Sequence, residues 1–192
     1  MKLKQFFKKL FKRKMTLFFL IIVVIMMIAG ILAPVIAPHD PLEQNLVMKF
    51  SLPSLEYPMG TDNLGRCIFS RILYATRTTL GFSLLCTVLA SVIGITLGVT
   101  AGYKGGVVDM LIMRLCDVLY AFPALVLVMA IVGFIGVGIF NVIIAMLILQ
   151  WLWYARVSRN LAAGESVKSY IAAARLCGAS DRKIIFRHIL PN

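Results

Sequence analysis

An all-α integral membrane fold with four helical spans is predicted by three observations. Sixty per cent of the 192 residues are apolar and only 15% are charged, and the mean hydropathy of +0.92 exceeds what a water-facing surface allows. Uncharged stretches of 24, 26 and 38 residues alternate with charged segments. The formal charge of +12 is confined to two of those segments: residues 1–14 hold seven Lys/Arg and no acid, and residues 156–192 hold seven against two, while the segments between are balanced. A soluble chain of this charge would point to nucleic acid; a chain whose basic excess flanks apolar runs points to a bilayer.

The spans follow in order from the length a bilayer requires, about 20 apolar residues per helix. A basic N-terminus, residues 1–14, leads into a first span over 15–37, ending near Pro34. Its apolar run is longer than the roughly 7–15 residues of a signal-peptide core, which favours a retained anchor. A loop over 38–77 carries four charges of each sign, and the second span covers 78–103. The 38 uncharged residues from Val118 to Ala155 are too many for one helix and slightly few for two. The third span therefore starts upstream, over 110–134, after a short 104–109 loop, and encloses Arg114 and Asp117. Gly133, Gly136 and Gly138 mark a break, and the fourth span covers 139–155, followed by the basic tail 156–192. Placing the N-terminus in the cytoplasm puts both positive segments on that side, in keeping with the positive-inside rule. Trp151, Trp153 and Tyr154 then fall at the inner interface. Cys67, Cys86, Cys116 and Cys177 show neither metal-type spacing nor a disulfide framework, so no metal site is expected.

Within the spans, Gly94, Gly98 and Gly102 line one helix face with small residues that permit close helix approach. They fit either a seam against a partner or ordinary packing within the chain. Arg114 and Asp117, three residues apart, share a helical face. Charges at this depth mark either a pathway or a neutralised pair near the interface. Phe122-Pro123 interrupts the third span, because proline removes a backbone bond and clashes one turn back; the kink suits a gate or a static bend. In the 38–77 loop, Gly60-Thr61-Asp62-Asn63-Leu64-Gly65-Arg66 makes a turn and a helix start. The amphipathic stretch that follows has Ile68, Phe69, Ile72 and Leu73 on one face. It reads as a collar lying on the membrane or as a lead-in to the second span.

The tail resolves into two short helices. Val167 to Cys177 is built of good helix formers, Gly178 fits the left-handed terminal position, Ser180 suits the cap of a second helix from Asp181, and Pro191 marks its stop. Ala173 and Ala174 keep the first helix thin. Ile185, Phe186 and Ile189 form an apolar ridge on the second, flanked by Arg182, Lys183 and Arg187, suited to insertion in a groove. Such basic amphipathic helices also lie flat on anionic lipid. A nucleic-acid helix-turn-helix reading fits poorly, because the segment is small and tethered to a bilayer; no nucleic-acid partner is expected.

The spacing of this tail resembles the coupling loop of ATP-binding-cassette importer permeases, whose pattern is Glu-Ala-Ala, three residues, Gly, nine residues, then Ile-x-Leu-Pro. Ala173, Ala174, Gly178, Leu190 and Pro191 match it, while Ala172 stands in place of Glu and His188 in place of Ile. Gly60-Thr61-Asp62 with Gly65-Arg66, Met113-Arg114 with Asp117, Phe122-Pro123 and Trp153-Tyr154-Ala155-Arg156 resemble the peptide, opine and nickel subgroup, over nearly the whole chain from about residue 15. The resemblance implies the type I importer permease fold, with the two spans that usually follow the Leu-Pro missing, so that the chain is expected to be C-terminally shortened. It also implies a multi-pass subunit of the bacterial cytoplasmic (inner) membrane, paired with a second permease, two ATP-binding subunits and an extracytoplasmic solute-binding protein. Translocation by alternating access would be driven by ATP and Mg held on the partners. The chain would carry no catalytic residue and bind no cofactor of its own, and it contains no phosphate loop. Ala173, Ala174, Gly178, Leu190 and Pro191 would couple to the ATPases, Arg114, Asp117, Phe122 and Pro123 would lie in the pathway or gate, and Gly60 to Arg66 would form an extracytoplasmic motif. The expected cargo is either nickel, carried as a chelate, or di- or oligopeptides. The rival reading is a shortened, non-transporting scaffold or accessory subunit.

Overall fold

The computed structural model describes residues 14–191; of the basic N-terminal segment expected over 1–14, all but Lys14 lies outside them, as does Asn192. Among the described residues the regular elements are all helical, and the one extended pairing is an isolated antiparallel bridge between Thr61 and Cys67. The chain divides into two compact units, Met1–Ser83 and Leu84–Asn192.

The first unit holds α1 (Lys14–Ile31), α2 (Ala33–Ile36), a 3-10 turn (Leu46–Met48) and the first turns of α3 (Ile68–Lys104). Helix α1 is uncharged after Lys14, and it gives way to α2 at Leu32. Pro34 sits in the first turn of α2, where its missing N–H would have no helical partner in any case. Ala37, extended ahead of Pro38, ends α2. Gly30 lets α1 cross the backbone of Arg77 closely; a Cβ there would come within 3.1 Å of the Arg77 Cα.

The second unit continues α3 and adds α4 (Gly106–Tyr120), α5 (Ala124–Ile135), α6 (Ile139–Ser166), α7 (Ser169–Leu176), α8 (Asp181–Ile184) and a π-helical turn (Ile185–Ile189). Helices α1, α3 and α6 are each long and apolar enough to cross a membrane, and α4 with α5 forms a fourth candidate, bent by 87°. The bend lies at Ala121-Phe122-Pro123, where proline cannot continue the ladder of α4. At 37 residues α3 reaches ~55 Å, well beyond a hydrocarbon core of ~30 Å. The amphipathic stretch from Ile68 is therefore the start of this same helix, since nothing from 68 to 104 breaks it. It stops at Gly105 and Gly106, both left-handed with φ of 62° and 54°.

The glycine stripe packs inside the chain. A Cβ at Gly94 would meet the Trp151 carbonyl, one at Gly98 the Ala155 carbonyl and Ser158 Oγ, and one at Gly102 the Arg159 carbonyl, so α3 and α6 lie nearly backbone to backbone. Ser158 is buried in this seam and donates to the Tyr154 carbonyl at 2.6 Å, keeping its hydroxyl satisfied. Ala90, Cys116, Trp151, Leu152 and Ala155 close the core around it.

Candidate docking hairpin and polar clusters

Helices α7 and α8 and the turn between them form a compact hairpin. Gly178 is left-handed with φ 76°, Ala179 N–H donates to the Ala174 carbonyl at 3.0 Å, and Gly178 N–H donates to the Arg175 carbonyl at 2.9 Å. That pair of bonds is the Schellman closure, which satisfies two carbonyls the helix end leaves unpaired. Ser180 makes no side-chain capping bond.

The chain beyond Ser180 departs from the expected single helix. Helix α8 covers only four residues, and the next five wind as a π turn in which Leu190 N–H reaches back to the Ile185 carbonyl at 2.9 Å. Its ridge is also turned inward: Ile184, Ile185 and Ile189 are buried with Ile171 against Val99, Tyr103 and Ala162, and only Phe186 remains outside, 58% exposed. The physical reason is burial, since three isoleucines gain more from the apolar wall of α3 and α6 than from water. Ala172, Ala173, Gly178, Leu190 and Pro191 are exposed and Ala174 is half-buried; Leu176 beside them is 90% exposed, and Arg182, Lys183 and Arg187 are exposed as well.

Two residues of the hairpin converge on α3. The Tyr103 hydroxyl donates to Asp181 Oδ1 at 2.7 Å and accepts from Arg175 Nε at 3.3 Å, and the Arg175 guanidinium lies 4.9 Å from the centre of the Tyr103 ring. The sequence pattern shows Tyr103 only as the end of a span.

A second cluster ties α4 to α6. Asp117 pairs with Arg156 at 2.6 Å, not with Arg114, and the Arg156 guanidinium lies 4.4 Å from the Tyr120 ring centre. Asp109 pairs with Arg159 through two nitrogens. Arg114, on α4 itself, is exposed and makes no ion pair among the described residues. Asp109 and Asp117, eight residues apart, and Arg156 and Arg159, three apart, match each other on antiparallel helices, a signal that only their pairing order reveals. Phe122 is exposed at the bend and Pro123 precedes α5.

The third cluster is the turn at 60–66. Gly60 and Gly65 are left-handed, each with φ 72°, and a Cβ at Gly65 would strike the Asn45 carbonyl. Thr61 Oγ1 accepts from Ser51 N–H at 2.8 Å, and its hydroxyl donates to the Met48 carbonyl. Asp62 is the hub: its Oδ1 accepts from the N–H groups of Leu64 at 2.8 Å and Arg66 at 3.0 Å, and its Oδ2 from Arg66 Nε at 2.8 Å and from Arg71. Burial pushes the Asp62 carboxyl up, but the two backbone N–H groups and the Arg66 guanidinium outweigh it and hold the group down at about 2. Among the described residues no three His, Cys, Asp or Glu side chains are placed to hold a metal ion.

Helical spans, a bent pair and a basic hairpin packed against α3 and α6 define a multi-pass helical membrane protein. Residues 94–192, just over half of the chain, match the family described as the binding-protein-dependent transport system inner membrane component, and residues 2–53 match the N-terminal TM domain of oligopeptide transport permease C. The chain belongs to this family of inner-membrane permease components, in its peptide and nickel subgroup. It is 37% identical over 184 residues to the metal-staphylopine import system permease protein of Staphylococcus aureus, covering 96% of this chain and 64% of that one. It is 36% identical over 152 residues to the nickel transport system permease protein of Escherichia coli K12, covering 79% and 55%. It is 42% identical over 168 residues to the glutathione transport system permease protein of an Escherichia coli O6:K15:H31 strain, covering 86% and 55%. The chain thus spans between 55% and 64% of the length of these relatives.

Proposed function

We propose that this chain is a transmembrane subunit of an ATP-driven importer of the bacterial cytoplasmic membrane, with its N-terminus and the hairpin on the cytoplasmic side. A second permease completes the pathway, two ATP-binding subunits with ATP and Mg receive the hairpins, and an extracytoplasmic binding protein delivers the solute. Closure of the ATPases draws the hairpins together, and the spans rock between inward-open and outward-open states. The observation that supports docking is an exposed α7 that carries Ala172, Ala173 and Leu176 and ends in the left-handed Gly178, with Arg182, Lys183 and Phe186 exposed on the following arm. It offers a partner close backbone approach, an apolar anchor and positive charge at one place.

The cargo we propose is a small metal chelate or a short peptide. The relatives carry the names of a metal complex, a metal and a tripeptide, and all three classes are small, polar solutes. Uptake of radiolabelled nickel supplied with histidine, of labelled glutathione and of labelled dialanine, compared between host cells with and without the gene, identifies the class. Loss of none of the three on deletion would overturn the assignment.

Docking is tested by co-purification. Ala173→Trp adds bulk to an exposed position without disturbing the buried isoleucines, and Gly178→Val forces a β-branched residue into a left-handed turn. Both are expected to reduce ATPase-subunit recovery by about tenfold, the effect of a clash worth ~1.4 kcal/mol. Full recovery with Ala173→Trp would favour the scaffold reading.

A further inference from the structure

We propose that Tyr103 is a positioning residue that locks the docking hairpin to the end of α3 and carries the hairpin's displacement into that helix. This rests on the docking reading above. The hairpin sits on α3 and α6 through isoleucines, and apolar contact is non-directional: it resists separation but lets surfaces slide and rotate. Hydrogen bonds add the missing direction, because they weaken steeply with misalignment. The Tyr103 hydroxyl makes two, one to each arm of the hairpin: it donates to Asp181 at the start of α8 and accepts from Arg175 in the last turn of α7. The ring itself is only 7% exposed, wedged in the isoleucine core and faced by the Arg175 guanidinium, so the hydroxyl is held at a fixed point.

The location makes the bridge mechanical. Arg175 and Asp181 flank the exposed Gly178 turn, and Tyr103 lies one residue from the end of a 37-residue helix without a break. A push on the turn is delivered to α3 at its tip. The helix, rigid along its hydrogen-bonded axis, carries it over the ~28 Å separating Tyr103 from Leu84. Other ion pairs serve different joints: Asp109 with Arg159 and Asp117 with Arg156 hold α4 to α6 and do not reach the hairpin.

Two measurements test this. In the purified chain, Tyr103→Phe keeps the ring and removes only the hydroxyl; amide exchange over 171–185 is expected to rise by about tenfold, the effect of losing hydrogen bonds to charged groups, with exchange over 145–158 unchanged. Equal exchange over 171–185 in both proteins would overturn the lock. In inside-out membrane vesicles from the host, maleimide labelling of the exposed Cys177 reports docking, and labelling of Leu84→Cys in a Cys177→Ser background reports movement of α3. ATP with vanadate is expected to change the Leu84→Cys rate by about threefold when Tyr103 is present, and by less than half of that change in Tyr103→Phe, a shift of conformational population. Protection of Cys177 should be the same in both. An equal nucleotide response at Leu84→Cys with and without the hydroxyl would overturn transmission, leaving Tyr103 a purely structural residue. Absence of Cys177 protection in the unmodified chain would instead sink the docking reading and transmission with it, while the exchange measurement would still decide whether the lock exists.

Discussion

The turn at 60–66 and the hairpin at 167–191 are both glycine-centred, yet different forces hold them. In the turn, a carboxylate does the work: Asp62 gathers two backbone N–H groups and two arginines, and Thr61 bonds the chain ten residues back. In the hairpin, burial dominates, with Ile171 and Ile184 fully enclosed, and polar contacts meet at the Tyr103 hydroxyl and at Glu165, which pairs with Lys168 and accepts from the Tyr170 hydroxyl at 2.6 Å. A hub of directional bonds fixes a shape locally and titrates with its carboxylate. An apolar base makes stability depend on what lies beneath, and it leaves the outer face free for a partner. The hairpin is therefore vulnerable from below, through the α3–α6 seam, whereas the turn is vulnerable at its own residues and at those that bond to it, Met48, Ser51 and Arg71 among them.

The largest expected effect tests that vulnerability. Gly98→Leu places a side chain against the Ala155 carbonyl and Ser158 Oγ, forcing α3 and α6 apart. Overpacking of this kind costs ~3 kcal/mol or more, and thermal unfolding in detergent should show a lowered, broadened transition. Protease cleavage within 167–191 should accelerate, while cleavage within 45–66 stays as in the parent protein. A parallel loss of protection at 45–66 would break the distinction between the two regions. Next in size, Ile184→Val removes one methyl group from the hairpin core and should cost ~1 kcal/mol. Phe186→Ala, at an exposed site, should change stability by less than ~0.5 kcal/mol. Equal losses in the two variants would mean that the ridge is not turned inward as described.

What the sequence discloses follows the same division. Gly178 and Pro123 are legible because a left-handed turn and a missing N–H are properties of single residues. The 60–66 turn is legible as a turn, since Gly, Thr and Asp each favour one. That Asp62 would also draw in Arg71 is not, because that contact needs the first turns of α3 to be in place. Ile185 and Ile189 show the limit of periodicity: it tells which residues share a face and not which way the face points. The charges flanking them favour an outward reading, and only the apolar wall of α3 and α6 reverses it. Asp117 repeats the lesson, because its i−3 neighbour Arg114 is visible in the spacing and its partner Arg156, 39 residues on, is not. Tyr103 gives no signal by itself, being one aromatic residue at the end of an apolar run.

The smallest effect sharpens the comparison through pH. Asp62 has a folded-state pKa depressed to about 2 from an ordinary 3.8. Its contribution to the turn is therefore present in full above the unfolded value, and it is lost as pH falls from about 4 through about 2. Amide exchange at Leu64 and Arg66, whose N–H groups the carboxylate accepts, should accelerate across this window after correction for intrinsic rates. Asp62→Asn should show accelerated exchange already at neutral pH, because a neutral amide retains at most one acceptor oxygen for the two N–H groups and presents donors to Arg66 and Arg71 in place of the second. Its exchange should also be flat between pH 4 and 2. If the unmodified chain were equally flat there, the charge on Asp62 would have no part in shaping the turn. The two left-handed glycines and the Thr61 bonds would then suffice, and the contrast with the hairpin would reduce to backbone geometry against burial.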